Sequence, residues 1–257
     1  MKYCLIWSML YNEQRGENLA FLLRLISVTT IAVLIQSCAV TQTKSNFQRV
    51  DNDLAAFDEA TAKMNDGFNK PKRDPENIEW VKTRLRQMVE VDQFMRHATD
   101  IPFKNSYTAV EKDYFDKQFS SRFADVDAAN TAELKTLLKV YPWFTISKFG
   151  KQADKDAWLL VQHADMDLPF QKQVLAVLEK LYMIGETDKS DYGYLFDRVA
   201  AIGEHRPQRY GTQGHCVGPS KWEPHPIEDE SNLEARRKSL DMMTMAEYQK
   251  LFKNICH

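Results

Sequence analysis

Along most of this chain apolar residues recur every three or four positions, the spacing that lines one face of an α-helix. The clearest run opens at Asp74, which can cap. Pro75 suits a first turn, and Glu76 favours the positive end of the helix dipole. Ile78, Val81, Leu85, Met88 with Val89, then Asp92 and Met95 keep the spacing. A second helix is predicted over 109–128. A third follows, capped by Asn130 with Glu133 as its capping-box partner, and Pro142 ends it. Residues 153–164 predict a helix with Ala157, Leu160, Val161 and Ala164 turned inward. Asp167 caps the next helix, which ends at Gly185, and Ser190 caps one that stops at Gly203. A weaker apolar pattern over 47–64 predicts a helix before the charged, proline-punctuated segment 69–75.

After Gly203 the pattern changes. RPQRYGTQ (206–213) and KWEPHPI (221–227) have no helical period and are broken by proline and glycine, which predicts the two extended arms of a hairpin. Two short helices, near 233–240 and 244–255, close the chain. The fold class is therefore mainly α, a multi-helix domain with a small β-hairpin near its C-terminal end. Residues 1–37 read as a leader, 38–70 as a lipidated tether with a helix, and 71–257 as a single mainly helical domain.

The leader changes where this domain is expected to work. In FLLRLISVTTIAVLIQSC (21–38), Arg24 precedes a short apolar run that ends in small residues, the layout of a secretory signal and too short for a comfortable membrane span. Its ending, Ile35-Gln36-Ser37-Cys38, resembles a bacterial lipobox. That resemblance implies cleavage before Cys38 and a lipid on its thiol, with acyl chains holding the protein to a membrane at about 0.8 kcal/mol per buried CH₂. Ala39, rather than Asp, follows the cysteine. The resemblance then implies the cell envelope, at the periplasmic face of the outer membrane where an organism has two. Residues 1–20 are long and mixed in charge for a leader's basic region, which a mis-assigned start codon would explain.

With 257 residues, 44% of them hydrophobic, the chain can bury a sizeable core. A net charge of −2 and the absence of an arginine-rich stripe argue against a nucleic-acid partner. Outside the leader and anchor, Cys216 and Cys256 are the remaining thiols, and an oxidising compartment would let them pair. His215, Cys216, His225, Cys256 and His257 match no common zinc spacing, so no metal or cofactor is assigned. Phosphate-loop, nucleophile-elbow and H-E-x-x-H patterns are missing. Trp143, Phe144, Phe149 and Trp158 read as core.

Three polar segments exceed what amphipathic packing requires: Gln162-His163-Ala164-Asp165, Leu195-Phe196-Asp197-Arg198, and Pro207-Gln208-Arg209-Tyr210-Gly211-Thr212-Gln213. With Pro226, Ile227, Arg236, Arg237, Leu240 and Tyr248, they resemble a bacterial domain family of unknown function, marked by Q-H-A-D, L-x-D-R and P-Q-x-Y-G-T-Q segments, over roughly residues 75–252. One departure is Asp241, where the family pattern has glycine. The resemblance implies no activity, so the chemistry rests on the residues. His163 is the candidate general base and Arg198 the candidate stabiliser of negative charge in a hydrolytic enzyme. Gln162, Asp165, Gln208, Tyr210 and Gln213 are candidates to hold a small polar or anionic ligand. Asp197 and Arg198 point about 100° apart on a helix, so each needs a partner elsewhere. The alternative is a structural or partner-binding lipoprotein in which the same residues form a satisfied buried network. The sequence singles out no protein partner.

Overall fold

A computed structural model of the chain describes residues 47–69, 72–97 and 106–256. The leader, Cys38 and residues 39–46 lie outside them. Helix α1 (Gln48–Asn69) is followed by α2 (Ile78–His97), α3 (Ala109–Leu138), the single turn α4 (Ile146–Phe149), α5 (Lys151–Gln162), α6 (Leu168–Tyr182) and α7 (Lys189–Asp197), which widens into a π-helical stretch, Arg198–Gly203. The antiparallel strands β1 (Gly214–Gly218) and β2 (Lys221–Pro224) form the hairpin, and α8 (Leu233–Ser239) and α9 (Met245–Lys250) end the chain. The fold is mainly α with one small hairpin, as the periodicity predicts. Among the described residues no helix is long and apolar enough to cross a membrane.

Helix α5 runs through the centre. Ala157, Trp158, Leu159, Leu160 and Val161 are all buried, so it is apolar around nearly its whole circumference and must be enclosed on every side. Helices α2 and α3 pack on it, and α7 covers another face. Its two buried carboxylates are met by specific donors. Trp143 Nε1 donates to Asp154 at 2.7 Å, and Arg86 Nη2 donates to both Asp156 oxygens. Burial pushes both carboxyls up to about 6 against those donors. A second hydrophobic cluster joins Val50, Leu54 and Phe57 of α1 to Met95 of α2 and Phe115 and Phe119 of α3.

Some boundaries differ from the sequence expectation, each for a local reason. Helix α3 does not break near Asn130. No glycine or proline interrupts 109–138, and Thr131 accommodates its hydroxyl within the helix by donating to the Asp127 carbonyl at 2.7 Å. Glu133 therefore caps nothing and pairs with Arg73 at 3.0 Å. Helix α2 is capped by Asn77, whose Oδ1 accepts from Trp80 N at 3.1 Å, so Asp74 and Pro75 form the turn before it. Asp188 caps α7 in place of Ser190, because its carboxylate accepts both the Ser190 N–H and hydroxyl. Segment 206–213 is a coiled loop rather than a strand, and it meets the 225–228 arm through an isolated bridge, Gln208 to Ile227. Asp167 does cap α6, accepting from Phe170 N.

At the departure from the family pattern, Asp241 sits at φ 55°, the left-handed region that glycine adopts freely. Its ion pair with Lys189 joins two exposed side chains and contributes little. Asp241→Gly is expected to stabilise the fold by about 0.5–1 kcal/mol by relieving this conformation. Urea melts of the two proteins check this. A less stable glycine variant would show that the aspartate side chain contributes more than its backbone costs.

Candidate functional site

The buried face of α2 carries two charged residues one turn apart, Asp92 and Arg96. Opposite them, α5 ends at His163, which points Nδ1 at both Asp92 oxygens at 2.9 Å. Arg96 donates to Asp92 from Nε at 3.1 Å and to Asp127 of α3 from Nη2 at 2.6 Å, with its guanidinium 4.2 Å from the Phe123 ring centre. Gln93 Nε2 donates to the other Asp92 oxygen at 2.7 Å. Burial by itself would raise the Asp92 pKa. Arg96 and His163 outweigh it and hold the carboxyl well below the usual range. An ionised carboxylate only accepts, so His163 Nδ1 carries the proton of this bond. Asp127 behaves oppositely: burial pushes it up to about 6 despite Arg96 and His163.

Asp92, Asp127 and His163 offer ligand atoms within 4.8 Å of one another, the set among the described residues with the composition of a metal site. Arg96 already donates to both carboxylates and supplies the positive charge that a cation would bring. The donor set is therefore better matched to a protein cation than to an ion.

Two residues beyond His163, Asp165 receives the two-pronged guanidinium of Arg198, Nε on Oδ1 at 2.8 Å and Nη2 on Oδ2. Arg198 Nη1 also reaches Gln213 Oε1 at 3.4 Å. Gln171 Nε2 donates to Asp165 and to the Val161 carbonyl, tying the start of α6 to the end of α5. Burial raises the Asp165 pKa, but the charge and hydrogen bonds of Arg198, with His163 and Gln171, together outweigh it and the net shift is downward. The Q-H-A-D, L-x-D-R and Y-G-T-Q segments thus meet at one ion pair. Gln162 lies beside it, buried, with Nε2 lacking a hydrogen-bond partner among the described residues.

Asp197 and Arg198 do part company, as their helical positions require. Asp197 is fully buried and faces the 206–213 loop. It accepts the main-chain N–H groups of Arg209 (2.8 Å), Tyr210 (3.0 Å) and Thr212 (2.9 Å) and the Thr212 hydroxyl. Four donors on one carboxylate coil this loop, and Gly211, at φ 69°, lets the backbone complete the turn. Gln208, also fully buried, donates to the Gln213 and His225 carbonyls and accepts from Gln213 N. Arg237 then takes the Tyr210 and Met243 carbonyls, Arg236 takes that of Arg209, and the Tyr248 hydroxyl takes that of Thr212. This stapling accounts for Gln208 and Thr212 within 206–213, since buried irregular main chain must have its groups met by side chains.

The sequence candidates thus fall into two linked groups. Asp165, Arg198 and Gln213 form a chain of contacts that begins two residues after the His163–Asp92 pair, whereas Gln208 and Tyr210 belong to the loop scaffold behind Gln213. Periodicity alone does not nominate Asp92, Arg96 and Asp127. One signal was available: Asp92 and Arg96 occupy core-facing positions of a helix, where charges stay only when paired.

Comparison with curated proteins and with solved structures finds no match. A family model does match, over residues 81–256, which takes in every contact described above except those of α1, Arg73 and the Asn77 cap. The chain belongs to the family of unknown function DUF6624.

Proposed function

We propose that this is a lipid-anchored envelope protein, tethered through Cys38, whose domain is a structural or partner-binding module. In this reading the polar set around His163 is an internal strut. The observation that carries it is the commitment of the functional groups to one another. His163, 5% exposed, is held by Asp92, and Arg198 is spent on Asp165 and Gln213. The strut joins α2, α5, α7 and the 206–213 loop, which the chain supplies from distant places. The envelope location is supported independently by the Cys216–Cys256 disulfide, since structural disulfides persist in oxidising compartments and are rare in the cytosol.

The strut reading expects His163→Ala and Gln213→Ala to lower stability with no ligand present. His163→Ala should cost about 2 kcal/mol, because Asp92 loses a buried partner but keeps Arg96, or roughly 4–8 °C in Tm for a domain this size. Melting curves test it. Variants that keep the parent's Tm would end the strut reading. Labelling with a radioactive fatty acid, with and without Cys38→Ser, tests the anchor. Equal labelling of both, or an unlabelled parent, removes it.

One observation favours a second, hydrolytic reading. A carboxylate on Nδ1 fixes the tautomer in which Nε2 is the basic nitrogen, the arrangement of a histidine general base. The ligand-binding reading draws on Asp165, whose side chain is 38% exposed and where an anionic group would compete for Arg198. Either reading requires variants that fold like the parent yet lose turnover or ligand-induced stabilisation.

A further inference from the structure

Pairing of Cys216 with Cys256 removes both thiols from the C-terminal His/Cys set and leaves two imidazoles beside the bridge. In the hairpin register His215 lies opposite Glu223, and His225 N–H bonds the Gln213 carbonyl one step along the same ladder. Alternation along a strand therefore puts His215, Glu223 and His225 on one face, with the two histidines diagonal neighbours. Their rings lie 5.4 Å apart, centre to centre, and 22° from parallel. We propose that this face of the hairpin binds one divalent transition-metal cation of the zinc–copper–nickel class through His215 and His225.

The spacing is the one chelation needs. A Zn–N bond of about 2.0–2.1 Å and a tetrahedral angle place two ligating imidazole centres about 5 Å apart. His215 Nδ1 is buried with no hydrogen-bond partner among the described residues, an unmet atom that ligation through Nδ1 itself would account for. Imidazole nitrogens select this class of cation over magnesium or calcium. The hairpin is also held in place. The disulfide and the bond from Ser220 N to the Cys256 carbonyl pin it to the chain end, so the two rings need little ordering on binding. This site lies outside the His163 network and does not depend on its role.

The test uses the disulfide-bonded chain with metal ions alone. Calorimetric titration with Zn²⁺ should give one site per chain. Losing even an outer-shell partner costs about 10–100-fold in metal affinity, so His225→Gln and His215→Gln should each weaken binding by about tenfold or more. His205→Gln should not. The Cu²⁺-loaded parent should show electron-spin coupling to two imidazole nitrogens, a readout that stands even where a variant fails to fold. Absence of binding, affinity unchanged in both histidine variants, or coupling to a single nitrogen, as the Asp92–Asp127–His163 cluster would give, overturns the proposal.

Discussion

Asp197→Ala is expected to cost about 4 kcal/mol, among the largest losses any single side chain of this protein can cause. The substitution removes one carboxylate and strands three main-chain N–H groups and a hydroxyl inside the protein, where water does not reach them. Each unmet buried donor costs about 1–3 kcal/mol, and partial collapse of the loop recovers some of the total. Local consequences follow from the stapling. Once the loop loosens, the Tyr210 carbonyl leaves Arg237, a fully buried cation that then keeps the Met243 carbonyl but loses one of its two backbone acceptors. Chemical denaturation of the two proteins gives the difference directly. A loss under about 1 kcal/mol would mean that the loop holds its shape without Asp197.

The same residue makes a pH prediction with a definite sign. Burial pushes Asp197 up to about 6, and the four donors only partly offset it. A carboxyl raised on folding stabilises the native state fully below its unfolded pKa, and that contribution is lost as pH rises through the folded value. Between about pH 4 and pH 6 the parent should therefore lose part of its stability, and Asp197→Ala should flatten that part of the curve. A variant curve as steep as the parent's would assign the slope to other buried carboxyls.

Reducing the Cys216–Cys256 bridge is expected to cost about as much by a different route. The bridge spans 40 residues of sequence, and closing a loop of that size removes roughly 4 kcal/mol of unfolded-state entropy in the chain-entropy model. For a domain of this length that is a fall of roughly 8–16 °C in Tm. Structure reinforces the estimate. The bridge ties β1 to the segment after α9, where Phe252 stacks on Trp222 at 4.1 Å and Tyr248 packs against both. Melting the chain with and without reductant, alongside a Cys216→Ala/Cys256→Ala double variant, measures it. A reduced protein that melts with the oxidised one would show that the aromatic packing alone holds the terminus.

Much of the site was out of reach of local patterns. Helical spacing places Leu160 and Val161 inward, but Asp92 on α2 and His163 at the end of α5 are 71 positions apart and meet only when those helices pack. Conversely, the polarity of Gln208 invites a ligand reading, although its amide is engaged with the main chain of the loop and of the 225–228 arm. The expected break at Asn130 failed because a lone asparagine is a weak helix stop when no glycine or proline supports it.

What the sequence by itself determined is whatever depends on neighbours a few positions away: most of the helices, the Asp167 cap and the late hairpin. Tertiary structure alone decided which charges meet, that Arg96 stands between Asp92 and Asp127, that Asp197 coils the 206–213 loop, and that the two hairpin histidines lie side by side. The physical reason is range. Helix geometry repeats within a turn and is written in local spacing, whereas an ion pair or a shared cation is a contact between surfaces that find each other only through the packing of the whole domain.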